Sequence, residues 1–209
     1  MDAEGIPPSE PRWPAVMALL SVGGLYAGLP EFLTPGPSWL LLVLLIPISA
    51  VGLILHYRRK HRLNQLFGYG LLTLVTIALV WSLGLLIAAL PDHKESPKEL
   101  LCSAAALWIS NILIFASWYW RLDGGGPHQR ELRGAHVDGA FLFPQMTMND
   151  AAWRPGFVDY LFLAFNTSTA FSPTDVPVLS RWAKGMMMVQ ATISFTTVAL
   201  LAARAVNIL

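Results

Sequence analysis

Apolar residues in this chain fall into six blocks, 15–29, 39–55, 66–90, 100–120, 157–171 and 185–209, separated by polar or proline-rich breaks. Runs of about 20 apolar residues match the hydrocarbon thickness of a bilayer, so each block is read as a membrane-embedded helix or part of one. The first block is short, carries Gly23, Gly24 and Gly28, and lies between Pro14 and Pro30. The second contains Pro47, which removes a helix hydrogen bond and predicts a kink. The third is the longest and closes at Pro91; the fourth ends in Trp118-Tyr119-Trp120, aromatic residues of the kind that collect at membrane–water interfaces.

The fifth block departs from this pattern. Its 15 residues would reach only about 22 Å at 1.5 Å per residue, short of a core roughly 30 Å thick. It is either a tilted span or a half-helix that enters and returns. The sixth is long enough to cross. Between the fourth and fifth blocks, 121–156 is polar. Asp123-Gly124-Gly125-Gly126-Pro127 within it cannot be regular helix, and Phe141-Leu142-Phe143-Pro144 is expected to dip to the interface. The predicted fold is therefore all-α, a polytopic transmembrane helix bundle. It has five to six hydrophobic segments, with a short broken or re-entrant helix before the last span. It forms one membrane domain: a four-helix part (14–120), a polar loop (121–156) and a helix, turn and helix (157–209).

Composition agrees. Of 209 residues, 55% are apolar and 13% charged, about half the roughly 25% charged share of soluble domains. The acidic, proline-rich stretch 1–14 lacks the basic start of a signal peptide, so the first block is expected to stay in the mature protein. The net charge of +1 gives no polybasic signal for nucleic acid. The distribution of charge is more informative. If all six blocks cross, one side carries Arg12, Arg58, Arg59, Lys60, Arg62, Arg121, Arg130, Arg133 and Arg154, and the other Lys94, Lys98, Arg181 and Lys184. The positive-inside rule then predicts a cytoplasmic N-terminus and an even number of spans. The cluster at Arg58–Arg62 is first a topology signal and secondarily a contact for anionic lipid.

Candidate chemistry concentrates near the end of the chain. A short apolar helix from Asp159 runs into the polar sequence NTSTAFSPTD, residues 166–175, and then a long helix. Irregular backbone at membrane depth is tolerated where it is buried in protein or lines an aqueous cavity, and broken helices form ion sites in channels and transporters. Thr167, Ser168, Thr169, Ser172 and Thr174 are candidates for lining a hydrated path, with Asp175 at its mouth. The plainer alternatives are hydroxyls bonded to backbone or to a neighbouring helix, and Asp175 capping a turn or pairing with Arg181 or Lys184. Asn111, Asn166 and Gln190 are amides in apolar runs and predict interhelical hydrogen bonds. Arg204 is expected to snorkel to the interface or to pair with Asp159. Cys102, alone, reads as a small buried residue.

His128, His136 and Asp138 match no metal spacing, and no Ser-His-Asp or HExxH pattern is present. No enzyme activity and no cofactor are expected.

Residues 167–175, TSTAFSPTD, resemble the filter region of two-helix potassium channels, typically TLTTVGYGD. Thr167, Thr169 and Asp175 fall on matching positions, and Tyr160 and Phe162 fall where that module has pore-helix aromatics. The likeness covers roughly the last fifty residues. It implies an ion-channel-like pore in a homo-oligomer, with a monovalent cation as partner. Ser172 and Thr174 stand where the filter has glycines and Pro173 where it has tyrosine, so a carbonyl-lined filter is not implied. Potassium-channel loops also enter from outside, whereas the charge count puts 121–156 inside. Over most of its length the chain resembles a family of uncharacterised small bacterial membrane proteins, on Phe171, Thr174-Asp175-Val176, Ser180-Arg181 and Lys184. That resemblance implies a multi-pass protein of the inner (plasma) membrane. The alternative function is a structural or interaction protein that keeps the pore-like module for helix packing.

Overall fold

The computed structural model describes residues 10–58, 60–89, 96–133, 139–148, 153–170 and 176–206. Among them the secondary structure is helical, with no sheet: α1 (Trp13–Ala27), α2 (Leu40–Tyr57), α3 (His61–Ala89), α4 (Pro97–Leu122), α5 (Pro127–Leu132), α6 (Phe157–Thr169) and α7 (Arg181–Val206). Six of these correspond to the six apolar blocks. Three helical stretches are long and apolar enough to cross a membrane: His61–Ala89, Lys98–Leu132 and Arg181–Ala203.

Helix starts follow local chemistry. Pro14 occupies the first turn of α1. Pro97 opens α4 behind Ser96, whose hydroxyl accepts the Glu99 amide at 3.2 Å. α4 is central: it packs on α1, α3, α6 and α7. Its inward face, including Leu107, Ile114, Phe115 and Tyr119, is buried, while α2, α3 and α7 expose large apolar side chains such as Ile46, Ile77, Trp81, Met188 and Phe195. In water that surface would be an aggregation hazard; in lipid it is the expected exterior.

Side-chain contacts fix the direction of α1, α3, α4, α6 and α7. Arg12 meets Glu131, Arg121 meets the Asn64 carbonyl, and Gln65 meets the Gly125 carbonyl, which gathers the start of α1, the start of α3 and the end of α4 at one end of the bundle. Tyr26 meets Ser82 toward the other. At the first end, Tyr160 near the start of α6 bonds Asp123, and Trp182 at the start of α7 packs on Phe141. Ser168 near the end of α6 bonds Ser194, thirteen residues along α7 from Arg181. α6 and α7 therefore run parallel and begin at the same end. α6 stops about halfway along α7, some 20 Å in. The chain is back at its starting end by Val178, where Leu142 N–H donates to Pro177 O (2.9 Å) and Leu179 N–H to Ala140 O (2.8 Å).

This geometry bears on four of the expectations. Arg181 and Lys184 lie at the same end as Arg12, whereas the charge count had set them opposite it on the premise that all six blocks cross. The backbone sets Asp159 and Arg204 at opposite ends, with about 30 Å of α7 between them; the Arg204 side chain lies outside the described residues. Phe141 and Phe143 are buried in an aromatic cluster with Tyr119, Tyr160 and Trp153. Cys102 is exposed on α4 rather than buried; one residue's type does not reveal which face of a helix it occupies.

Candidate functional site

The hydroxyls of α6 meet a polar seam between α4 and α7. Gln190 is at its centre and fully buried. Its amide donates to Ala164 O at 2.7 Å and to Ser168 Oγ at 2.9 Å, while its Oε1 accepts the Tyr119 hydroxyl at 2.5 Å. Asn111 donates to the Gln190 carbonyl at 3.2 Å. Ser194 donates to Ser168 O at 2.8 Å and accepts the Trp108 indole N–H at 2.9 Å. One turn of α6, one of α7 and the middle of α4 are thus tied by buried side chains.

Of the proposed path-lining residues, Thr167 and Ser168 are 2% and 1% exposed. Thr167 turns back onto Leu163 O at 2.8 Å, and Ser168 belongs to the seam. Thr169 is exposed and bonds Phe165 O at 3.0 Å. Ser172, Thr174 and Asp175 lie outside the described residues. Asn111 and Gln190 make the interhelical bonds their sequence context predicts; Asn166 is only half-buried.

A second site was not visible in the sequence. At the end of the bundle where α6 and α7 begin, the loop after α4 folds over a buried ionic network. Asp123 is fully buried and Arg130 3% exposed. The Asp123 carboxylate accepts the Tyr160 hydroxyl (2.6 Å) and the Ala140 N–H (2.5 Å). Arg130 donates to the carbonyls of Trp120 and Asp123, both at 2.8 Å, and pairs with Glu10 at 3.0 Å, its guanidinium lying over the Tyr160 ring. Glu10 also accepts the Trp120 indole N–H. Glu131 pairs with Arg12 at 2.9 Å, and Arg154 donates to Arg133 O at 2.9 Å. The N-terminal strap, α4, the loop and α6 are joined at one point.

The turn that makes this possible is the glycine run. Gly124, Gly125 and Gly126 have φ of 58°, 81° and 94°, a region that L side chains reach poorly. A Cβ on Gly126 would also stand 2.8 Å from the Arg121 carbonyl. Gly126→Ala is expected to lower stability by about 1–3 kcal/mol, read as a drop in melting temperature in detergent. An unchanged melt would mean the turn can relax.

Among the described residues no three His, Cys, Asp or Glu side chains converge to hold a metal; His136 and Asp138 lie outside them. The fold defines a class: a multi-span, membrane-type helical bundle. No family model, curated protein or solved structure matches the chain.

Proposed function

We propose that the protein is a five-span membrane protein whose residues 157–209 form a pore-loop module, α6 being a re-entrant half-helix. The observation that carries this reading is the parallel course of α6 and α7 from one end of the bundle. A half-helix, a return and a full helix is the arrangement that channels use to bring irregular backbone to membrane depth. Charge agrees with five spans better than with six. With Arg181 and Lys184 reassigned, eleven basic residues (Arg12, Arg58, Arg59, Lys60, Arg62, Arg121, Arg130, Arg133, Arg154, Arg181 and Lys184) fall at one end and Lys94 and Lys98 at the other. By the positive-inside rule the N-terminus is cytoplasmic and the loop enters from that side.

The hydroxyls of Thr167 and Ser168 are spent on packing, so a path through one protomer is not the reading. Conduction of a monovalent cation would run on the axis of a homo-oligomer, past exposed Thr169 and the segment through Asp175. A second reading rests on the seam itself: its closure around Gln190 suits a non-transporting protein in which the module only packs helices.

Topology is tested by single cysteines at Thr147, Leu179 and Lys98 in a Cys102→Ser background. Five spans require Thr147 and Leu179 to label from one face and Lys98 from the other. Labelling of Leu179 together with Lys98 overturns the re-entrant helix. For conduction, Thr169→Cys protein in liposomes should pass potassium or sodium and lose that flux on thiol modification. Absence of flux for either ion across a range of voltage and pH selects the packing reading.

A further inference from the structure

Two neighbouring chambers open at the basic end of the bundle, and neither is used by the pore-loop module. One, about 70 Å³, is polar and lined by Arg62, Arg121, His61, His128 and Gln65. The other, about 60 Å³, lies between α1, α2 and α3 and is mainly apolar, with Leu19, Ile48, Leu53, Phe67 and Leu71 in its wall. They share Arg12, Asn64 and Arg121, so a basic compartment continues directly into an apolar one.

The charges in this junction are unequal. Arg12 is paired with Glu131. Arg121 and Arg62 have no carboxylate within ion-pair distance among the described residues. Arg121 spends one N–H on the Asn64 carbonyl at 3.2 Å and lies 5.7 Å from the centre of the Trp120 ring. Its position is built: Gly68 faces the guanidinium, and a Cβ there would overlap it. On the apolar side, Ser49 is 8% exposed, lines the chamber, and its hydroxyl has no partner among the described residues. A buried hydroxyl without a partner is costly unless something accepts its proton. Phe67, at the rim, is 45% exposed, so the apolar chamber gives onto the outer surface of the bundle.

We propose that this junction binds an anionic phospholipid, with the headgroup phosphate on Arg62 and Arg121 and the ester region and upper chain beside Ser49, between α1, α2 and α3. A cation-rich compartment that runs into an apolar one matches the two halves of such a lipid and no wholly soluble anion. Basic pockets between helices on the cytoplasmic side are where anionic headgroups are recognised, and a planar guanidinium is suited to phosphate. Both chambers are small, so the remainder of the lipid lies against the exposed face of α2 and α3. The inference rests on the membrane reading but not on conduction.

The test uses the full chain, delipidated in a neutral detergent. Phosphatidylglycerol, phosphatidylcholine and inorganic phosphate are compared by native mass spectrometry and thermal shift. Phosphatidylglycerol alone should be retained and raise the melting temperature. Arg62→Gln and Arg121→Gln should each weaken that binding about fivefold, the effect of ~1 kcal/mol per basic residue near an anionic headgroup. Arg62 is exposed, so its variant stays informative if Arg121→Gln does not fold. Equal retention of phosphatidylcholine overturns the headgroup assignment, and an equal shift with inorganic phosphate overturns the lipid. Undiminished phosphatidylglycerol binding in Arg62→Gln overturns its role in the site. Loss of lipid preference with flux intact removes this proposal alone; loss of flux with preference intact leaves it standing.

Discussion

Arg130→Ala is expected to destabilise the folded protein by about 3–5 kcal/mol, the cost of leaving a buried charge without its partner. The side chain is 3% exposed and serves three groups. Its loss strands the Trp120 and Asp123 carbonyls and removes the cation paired with Glu10. It also removes positive charge from beside the buried Asp123 carboxylate, which keeps its bonds from Tyr160 and Ala140 but not its neutralising field. The measurement is retention of a monodisperse peak after graded heating, or unfolding in mixed micelles. Arg130→Lys separates charge from geometry. An ammonium restores the Glu10 pair but cannot donate in a fork to two carbonyls and a carboxylate, so only part of the stability should return. If Arg130→Ala melts within a degree or two of the parent, the network is not holding the loop.

Gln190→Leu carries the second large effect. Leucine keeps the volume and abolishes three side-chain hydrogen bonds at once. Each interhelical bond in a membrane protein is worth about 0.6 kcal/mol on average, and the stranded Tyr119 hydroxyl adds an unsatisfied group at about 1–3 kcal/mol. The expected loss is about 3–5 kcal/mol. Gln190→Leu should also free the end of α6. Thr169→Cys reactivity then rises in that background while Trp182 fluorescence, reporting the start of α7, changes little. A loss below about 0.5 kcal/mol would mean that Tyr119 and Ser168 find other partners.

The helices were legible in the sequence because long apolar runs have few alternatives in a chain so poor in charge. Asn111 and Gln190 were legible as interhelical donors for the same reason: an amide in an apolar helix has only another helix to bond. The length of the fifth block showed that it was short, but length carries no sign, and whether a short helix passes or returns decides the side of everything after it. The side given to Arg181 and Lys184 hangs on that one binary choice. The burial of Phe141 and Phe143 was not legible, because a short apolar run inside a polar stretch does not show what covers it; here it is Tyr160 and Tyr119. The Glu10–Arg130–Asp123 network could not be read at all. Its members are scattered through polar stretches, and a solvated charge and a buried one are the same letter. The glycine run that turns the loop over them was read correctly as a break in the helix, without any sign of what it covered.

The strap at Glu10 has a consequence for how the molecule comes into being. Glu10 is made before α1, yet its partners Trp120, Arg130 and Glu131 lie 110 to 121 residues later. During synthesis at about 5–20 residues per second, its carboxylate waits several seconds, through the emergence of four helices, before anything exists to receive it. The strap at Glu10 therefore settles long after it is made, and only on a correctly formed loop.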